Sequence, residues 1–200
     1  MSDSRRLEVG TVYRDSFNLL FDNISIHIAN TFIAILATIL LSITILGLLA
    51  VPAVWGGYSH AMIRMSRGEK VYIGDFFRYG FNNFGKLLGA SLIFALGVFV
   101  ATCILIVPGI YLSIRWFFVN QIIVDQNKSV SEAFKESGKL TSGIFWDIFA
   151  ICILNYILSG FGFVLIILGF IFTCPLCALV IAKAYVVLSS SNKERIDSEI

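Results

Sequence analysis

In three short stretches of the chain, apolar or small residues recur at i, i+3, i+4, i+7 and i+8, the spacing of one helix face. The first carries Val9, Val12, Tyr13, Ser16 and Phe17, and the second Ile73, Phe76, Phe77, Gly80 and Phe81. The third carries Val130, Ala133, Phe134, Ser137 and Gly138. A basic residue follows the i+4 position each time: Arg14, Arg78 and Lys135. Ser129, with Glu132 three residues on, predicts a capping box at the start of the third stretch. After each stretch the alternation gives way to a run free of Asp, Glu, Lys and Arg: Asn23 to Ile63, Leu87 to Ile114, and Ile148 to Ala182. A helix of about 20 apolar residues spans the hydrocarbon core, so each run holds at least one crossing.

Each run contains one of the three prolines, Pro52, Pro108 and Pro175. Proline suits the first residue of a helix, because the amide it lacks would be unsatisfied there. The pattern therefore predicts a unit of interfacial helix, long helix, proline turn and short helix, repeated over 9–67, 73–125 and 130–190. The expected fold is an all-α polytopic membrane protein, a single domain over 1–200 with six hydrophobic helices and a polar cytoplasmic tail at 191–200. A sixteen-residue short helix rises about 24 Å against a core of roughly 30 Å, so full crossings and re-entrant hairpins both fit. Six crossings are expected because the long helices reach the far side. Gly160 and Gly162 predict a kink or break in the third long helix.

Composition agrees: 58% hydrophobic, 14% charged, mean hydropathy +0.86. A net charge of +2 and the lack of a glycine-rich phosphate loop argue against nucleic acid or nucleotide partners. The stretch "MSDSRRLEVGTVYRDSF" has no apolar core for a cleavable signal, so the segment from Thr31 is expected to stay as a transmembrane helix. Arg64, Arg67, Lys70, Lys86, Lys128 and Lys139 lie in the exits and interfacial stretches, and the proline turns hold no charge. By the positive-inside rule both termini are expected to be cytoplasmic, in a multi-pass membrane protein. Cys103, Cys152, Cys174 and Cys177 all lie in apolar segments and are read as small packing residues. The Cys174-to-Cys177 spacing also admits redox exchange, which is the lesser reading.

Counted from the prolines, His60 lies eight residues past Pro52, Arg115 seven past Pro108 and Lys183 eight past Pro175. Ionisable residues at membrane depth face a bundle interior or an aqueous cavity, so the three are expected to share one interior level. Simpler readings stand beside this one. The Lys183 stem can snorkel to the interface, His60 sits near Arg64, and Arg115 has Asp147 as a candidate ion-pair partner. Asn120 and Gln121 add polar character beside Arg115. The ligand-binding candidates are thus Arg115, Lys183, His60, Asn120 and Gln121, with the guanidinium fork suited to a lipid phosphate.

No HExxH, GxSxG or paired metal-ligand spacing occurs, so neither catalysis, a metal nor a cofactor is expected. The leading function is non-enzymatic binding or movement of a lipid-like or anionic ligand, with membrane lipids as partners. An oligomeric channel is the alternative, and a scaffold regulating a partner membrane enzyme carries lower weight. Gly56, Gly57 and Gly109 permit close helix contact, within the chain or in a homo-oligomer.

From Val107 to Trp146 the chain reads "VPGIYLSIRWFFVNQIIVDQNKSVSEAFKESGKLTSGIFW". This segment resembles a loosely related, largely uncharacterised set of bacterial inner-membrane families. One branch is the membrane domain attached to some glycerophosphodiester phosphodiesterases. The matching features are Pro108-Gly109, the aromatic-rich helix after them, Asp125, Ser129 and the "SEAFKES" segment ending at Ser137. The resemblance implies a membrane architecture. It implies no phosphodiesterase activity, since the soluble catalytic domain is not in this sequence. Reporter fusions at either terminus are expected to report cytoplasm; a periplasmic C-terminus would overturn the topology.

Overall fold

The computed structural model describes residues 7–22, 24–42, 45–72, 75–164 and 168–198. Every regular element among them is a helix. In chain order these are α1 (Val9–Asp22), α2 (Ile24–Ser42), α3 (Ile45–Ser66), α4 (Asp75–Asn82) and α5 (Phe84–Ile104). There follow α6 (Ile106–Arg115), α7 (Val119–Gln126), α8 (Val130–Leu140), α9 (Phe145–Val164) and α10 (Leu168–Ser198).

The amphipathic stretches become α1, α4 and α8; the i+3 and i+7 positions of the expected face turn inward, whereas Phe17 and Phe81 at the i+8 position are exposed. Val12 and Ser16 are buried on α1, Phe76 and Gly80 on α4, and Ala133, Ser137 and Gly138 on α8. Ile73 lies outside the described residues. The capping box is formed: Ser129 Oγ accepts from the Glu132 amide at 3.4 Å, and Glu132 Oε2 accepts from the Ser129 amide at 3.0 Å. Asn127, at φ 51°, ends α7 in the left-handed region that Asn tolerates.

Among the described residues, four helices are long and apolar enough to cross a membrane: Ile24–Ser42, Phe84–Ile104, Ile106–Gln126 and Phe172–Ser191. A fifth arises if α8 and Phe145–Gly160 form one span, bent by 101°. Six were expected. Gly143, at φ 87°, sits in the turn between α8 and α9. Gly160 does not break α9, which runs on to Val164.

The prolines do not start their helices, which corrects the proline-turn expectation. Pro52 lies inside α3 and Pro175 inside α10, each seven residues after the helix begins, and Pro108 is the third residue of α6. The amide missing at Pro108 falls in the first turn, where it has no intrahelical partner to lose. Apolar residues ahead of a proline are equally compatible with helix, so hydropathy could not locate the break.

The span Ile106–Gln126 is itself interrupted between Arg115 and Val119. Backbone groups freed at membrane depth need partners from within the protein, and α8 supplies them. Ser137 Oγ accepts from the Phe118 amide at 3.2 Å and donates to the Arg115 carbonyl at 3.0 Å. Thr141 Oγ1 lies 3.3 Å from the same carbonyl, with a shorter contact of 3.0 Å to the Ser137 carbonyl.

Helix α4 packs on α3, α8 on α7, and α1 on α10, while α3 also contacts α7 and α10. The α3–α4 crossing brings backbone against backbone. A Cβ on Gly57 would stand 1.8 Å from the Phe76 carbonyl oxygen, and one on Gly80 would stand 2.0 Å from that of Ala53. Gly109 likewise admits Thr102 of α5, whose Oγ1 a Cβ would meet at 2.1 Å. Tyr58, Met62, Phe118, Ile122, Leu179 and Tyr185 are fully buried at the centre. Leu96, Phe99, Ile106 and Val107 are exposed apolar residues on α5 and α6, a surface suited to lipid chains.

Gly57→Val would drive a branched side chain into the α4 backbone and is expected to destabilise the fold by at least roughly 1–3 kcal/mol. Gly85→Ala is the control, because nothing lies within 4 Å of its would-be Cβ. Thermal unfolding in detergent reads both; equal melting of the two variants would count against the contact.

Candidate functional site

Arg67, just beyond the end of α3, forms a two-pronged ion pair with Asp125 of α7, with Nη2 donating to Oδ2 at 2.7 Å. Tyr185 of α10 donates its hydroxyl to the same Oδ2 at 3.0 Å, and Gln126 Nε2 donates to the Tyr185 oxygen at 2.8 Å. The Asp125 side chain is only 8% exposed, whereas that of Arg67 is 36% exposed. Hydrogen bonding to Asp125 pushes the Arg67 pKa up, so the guanidinium charge is secured where it leaves α3. The network joins the ends of α3 and α7 to α10.

The three basic residues placed at one level by the sequence do not meet. His60 stacks on Tyr79 of α4, with ring centroids 4.1 Å apart and planes 26° apart. Lys183 brings Nζ to 3.9 Å from Asp15 Oδ2 of α1. Arg115 donates Nη1 to the Tyr111 hydroxyl at 3.2 Å, and its Nε lies 3.3 Å from where a Gly138 Cβ of α8 would stand. Each therefore meets a different amphipathic helix, which corrects the expectation of a shared interior. Counting from a proline fixes level along a helix but leaves azimuth open, since one residue turns the face by about 100°.

Asp147 does not pair with Arg115 among the described residues. Its Oδ2 accepts from the Leu7 amide at 3.2 Å, ahead of α1, and this corrects the ion-pair expectation. An acid in the first turn of a helix is favourably placed toward the helix dipole, which gives Asp147 a second reason for its position. Asn120 is exposed and borders a cavity of about 180 Å³ between α5 and α7, beside Ser91 and Trp116.

Gln121 has a different setting. It is 8% exposed and lines a half-open cavity of about 260 Å³ among α3, α7, α9 and α10. Trp55, Tyr58 and Ser59 contribute from α3, Ser159 from α9, and Cys174 and Cys177 from α10. The Gln121 Oε1 atom is buried without a hydrogen-bond partner among the described residues. The Tyr58 hydroxyl is engaged with Thr31 Oγ1 at 2.8 Å. Ser159 Oγ lies 3.7 Å from Cys177 Sγ, and all four cysteines are free thiols. The proline-aligned reading passed over Ser59, Ser159, Arg67 and Tyr185. The sequence signal for the network was limited to Arg67 and Asp125 both standing where apolar helices end.

Long apolar helices and a buried polar tie at their ends define a helical integral membrane protein. Residues 84–192 match the family model described as the membrane domain of glycerophosphoryl diester phosphodiesterase, and the chain belongs to that family. The match runs from the first residue of α5 into α10, covering both Arg115 and Gln121. No curated protein and no solved structure matches the chain.

Asp125→Ala should cost about 2 kcal/mol, less than a fully buried pair because Arg67 is partly solvated. Tyr185→Phe should cost about 1 kcal/mol. A double-mutant cycle of Arg67→Ala with Asp125→Ala is expected to return a coupling of about 1 kcal/mol. Strict additivity of the two melting shifts would show that the pair does not hold the helices.

Proposed function

We propose that the chain is a non-enzymatic, multi-pass protein of the bacterial inner membrane that binds or moves a lipid-like ligand, with Arg115 as the contact for its phosphate. The observation that carries this reading is the state of the guanidinium. Arg115 ends α6, within the candidate span Ile106–Gln126, and it is exposed. The one hydrogen bond of its guanidinium among the described residues goes to the Tyr111 hydroxyl. Arg67, by contrast, is occupied by a carboxylate. A cation at membrane depth without a protein counter-charge suits an anionic headgroup, and the guanidinium fork matches phosphate oxygens. The family's link with glycerophosphoryl diester chemistry is consistent with a lipid-derived ligand.

The reading includes a threefold organisation, with units of amphipathic helix, long helix and proline-bearing helix over 9–67, 73–125 and 130–190. Its support is the packing order. Helix α4 lies on the proline-bearing helix α3 of the preceding unit, α8 lies on α7, which follows the proline-bearing α6, and α1 lies on the proline-bearing α10 of the third. Residues at matched positions agree as well: Val12, Phe76 and Ala133 are buried, and the small residues Ser16, Gly80 and Ser137 are buried one turn later.

Native mass spectrometry of the protein extracted from membranes tests the phosphate contact. Anionic phospholipid should co-purify with the wild type and fall several-fold in Arg115→Ala, with partial retention in Arg115→Lys. Unchanged retention in Arg115→Ala defeats the proposal. Selective ion flux in reconstituted liposomes would favour the channel instead.

A further inference from the structure

The guanidinium of Arg115 rests against a glycine. The three heavy atoms nearest to where a Gly138 Cβ would stand are Arg115 Nε at 3.3 Å and Cζ and Nη2, both at 3.5 Å. Three bonded atoms at nearly one distance put that point over the face of the group, not off its edge. The guanidinium therefore lies flat on α8 where the helix presents bare backbone, and Gly138 is buried. The backbone does not ask for this glycine, since the positive φ of the following turn falls at Gly143. Within a helix glycine is less favourable than alanine, so what Gly138 admits is the reason for its place.

A guanidinium carries its N–H donors around its rim. Nη1 is held by the Tyr111 hydroxyl at 3.2 Å, and no carboxylate lies within ion-pair distance among the described residues. The edge formed by Nε and Nη2 has no hydrogen-bond partner among them either. Those two N–H bonds run parallel, a fork that takes two oxygens of one anion side by side. With one face on α8 and one corner on Tyr111, the direction of the fork is set although the residue is exposed.

The other two units do not build this seat. At the i+8 position that Gly138 occupies in α8, they carry Phe17 and Phe81, 51% and 49% exposed. The basic residues that match Arg115 are engaged elsewhere, His60 on the Tyr79 ring and Lys183 at Asp15. Of the three units, only the glycine leaves room for a guanidinium to lie flat.

We infer that Gly138 is a positioning residue for Arg115, and that the fork it aims takes the two unesterified oxygens of a phosphodiester. The inference rests on the phosphate contact proposed above and specifies the group which that contact reads. A phosphodiester has two equivalent terminal oxygens sharing one negative charge, which matches two parallel donors. A hydroxyl or an ester carbonyl brings neither the charge nor the second oxygen. A carboxylate has two oxygens as well, which makes a fatty acid the competitor to test. Two sources carry the phosphodiester: an intact glycerophospholipid, and the free glycerophosphodiester left when its acyl chains are removed.

The test uses the full chain in detergent, titrated by native mass spectrometry, with thermal unfolding measured in parallel. The probes are dioleoylphosphatidylglycerol, dioleoylphosphatidylethanolamine, glycerophosphoglycerol and oleate. Gly138→Ala should leave the melting temperature unchanged or higher, because alanine favours helix and the atoms it meets end a flexible side chain. It should still weaken phosphatidylglycerol binding about threefold, since the guanidinium must leave its seat. Gly138→Phe, which installs the residue of the other two units, should weaken it about tenfold in the wild type and not at all in Arg115→Ala. A structural role alone would instead lower the melting temperature and persist without Arg115. Phosphatidylethanolamine carries the same diester, so each variant should change its binding by the same factor. The stronger of phosphatidylglycerol and glycerophosphoglycerol names the source. A loss confined to phosphatidylglycerol would show that net charge is read and overturns the diester assignment, as does tighter binding of oleate. Unchanged binding in both Gly138 variants, with lipid lost in Arg115→Ala, removes this inference alone. No loss in Arg115→Ala removes the phosphate contact and this inference with it.

Discussion

A carboxylate with 8% of its side chain exposed is the constraint around which the centre is arranged. Withdrawing Asp125 from water carries a desolvation cost that only close, directed partners offset. Arg67 provides two donors and Tyr185 a third, from residues 58 and 60 positions away along the chain. The same hydrogen bonds therefore bring the end of α3 and the middle of α10 to the end of α7. Between helices in lipid there is little hydrophobic drive to associate, because the lipid chains are as apolar as leucine. Polar ties and close packing must do what burial does in a soluble core.

Close packing is present where glycine removes the side chain altogether. Gly57 and Gly80 let α3 and α4 touch at the backbone, and Gly109 does the same for α6 against Thr102 of α5. A third device is the repair of the break in Ile106–Gln126. Ser137 answers both an orphan amide and an orphan carbonyl there. The final serine of "SEAFKES" thus has a physical task in this chain: it makes a broken membrane helix tolerable.

How far this was legible in the sequence depends on the range of the interaction. The 3.6-residue period and the capping box are local, and α1, α4 and α8 stand where they were expected. The apolar runs marked membrane helices but not their breaks, because a break at Leu105 or Trp116 leaves hydropathy unchanged. The pairing of Arg67 with Asp125 is invisible to periodicity, being set by where two helix ends meet in space. The alignment of His60, Arg115 and Lys183 was correct as arithmetic and misleading as geometry. His60 and Lys183 turned toward the amphipathic helix packed on their own helix, to Tyr79 and Asp15, and Arg115 toward Gly138 of α8, which packs on α7. Gln121 entered the sequence reading as a neighbour of Arg115, yet the turn at Trp116–Phe118 separates their settings: one is exposed, the other buried in the central cavity.

That separation follows from the cost of charge. A formal charge is least costly where a partner, a helix end or the headgroup layer is within reach, and most costly midway between helices. His60, Arg115 and Lys183 meet the amphipathic helices, and Asp125 is neutralised by Arg67 at the helix ends. Among the described residues, what lines the space among α3, α7, α9 and α10 is aromatic, aliphatic, hydroxyl- and thiol-bearing, with one carboxamide. The exposed guanidinium of Arg115 and the uncharged lining around Gln121 are therefore two unlike surroundings, and the ligand proposed above would meet the first of them.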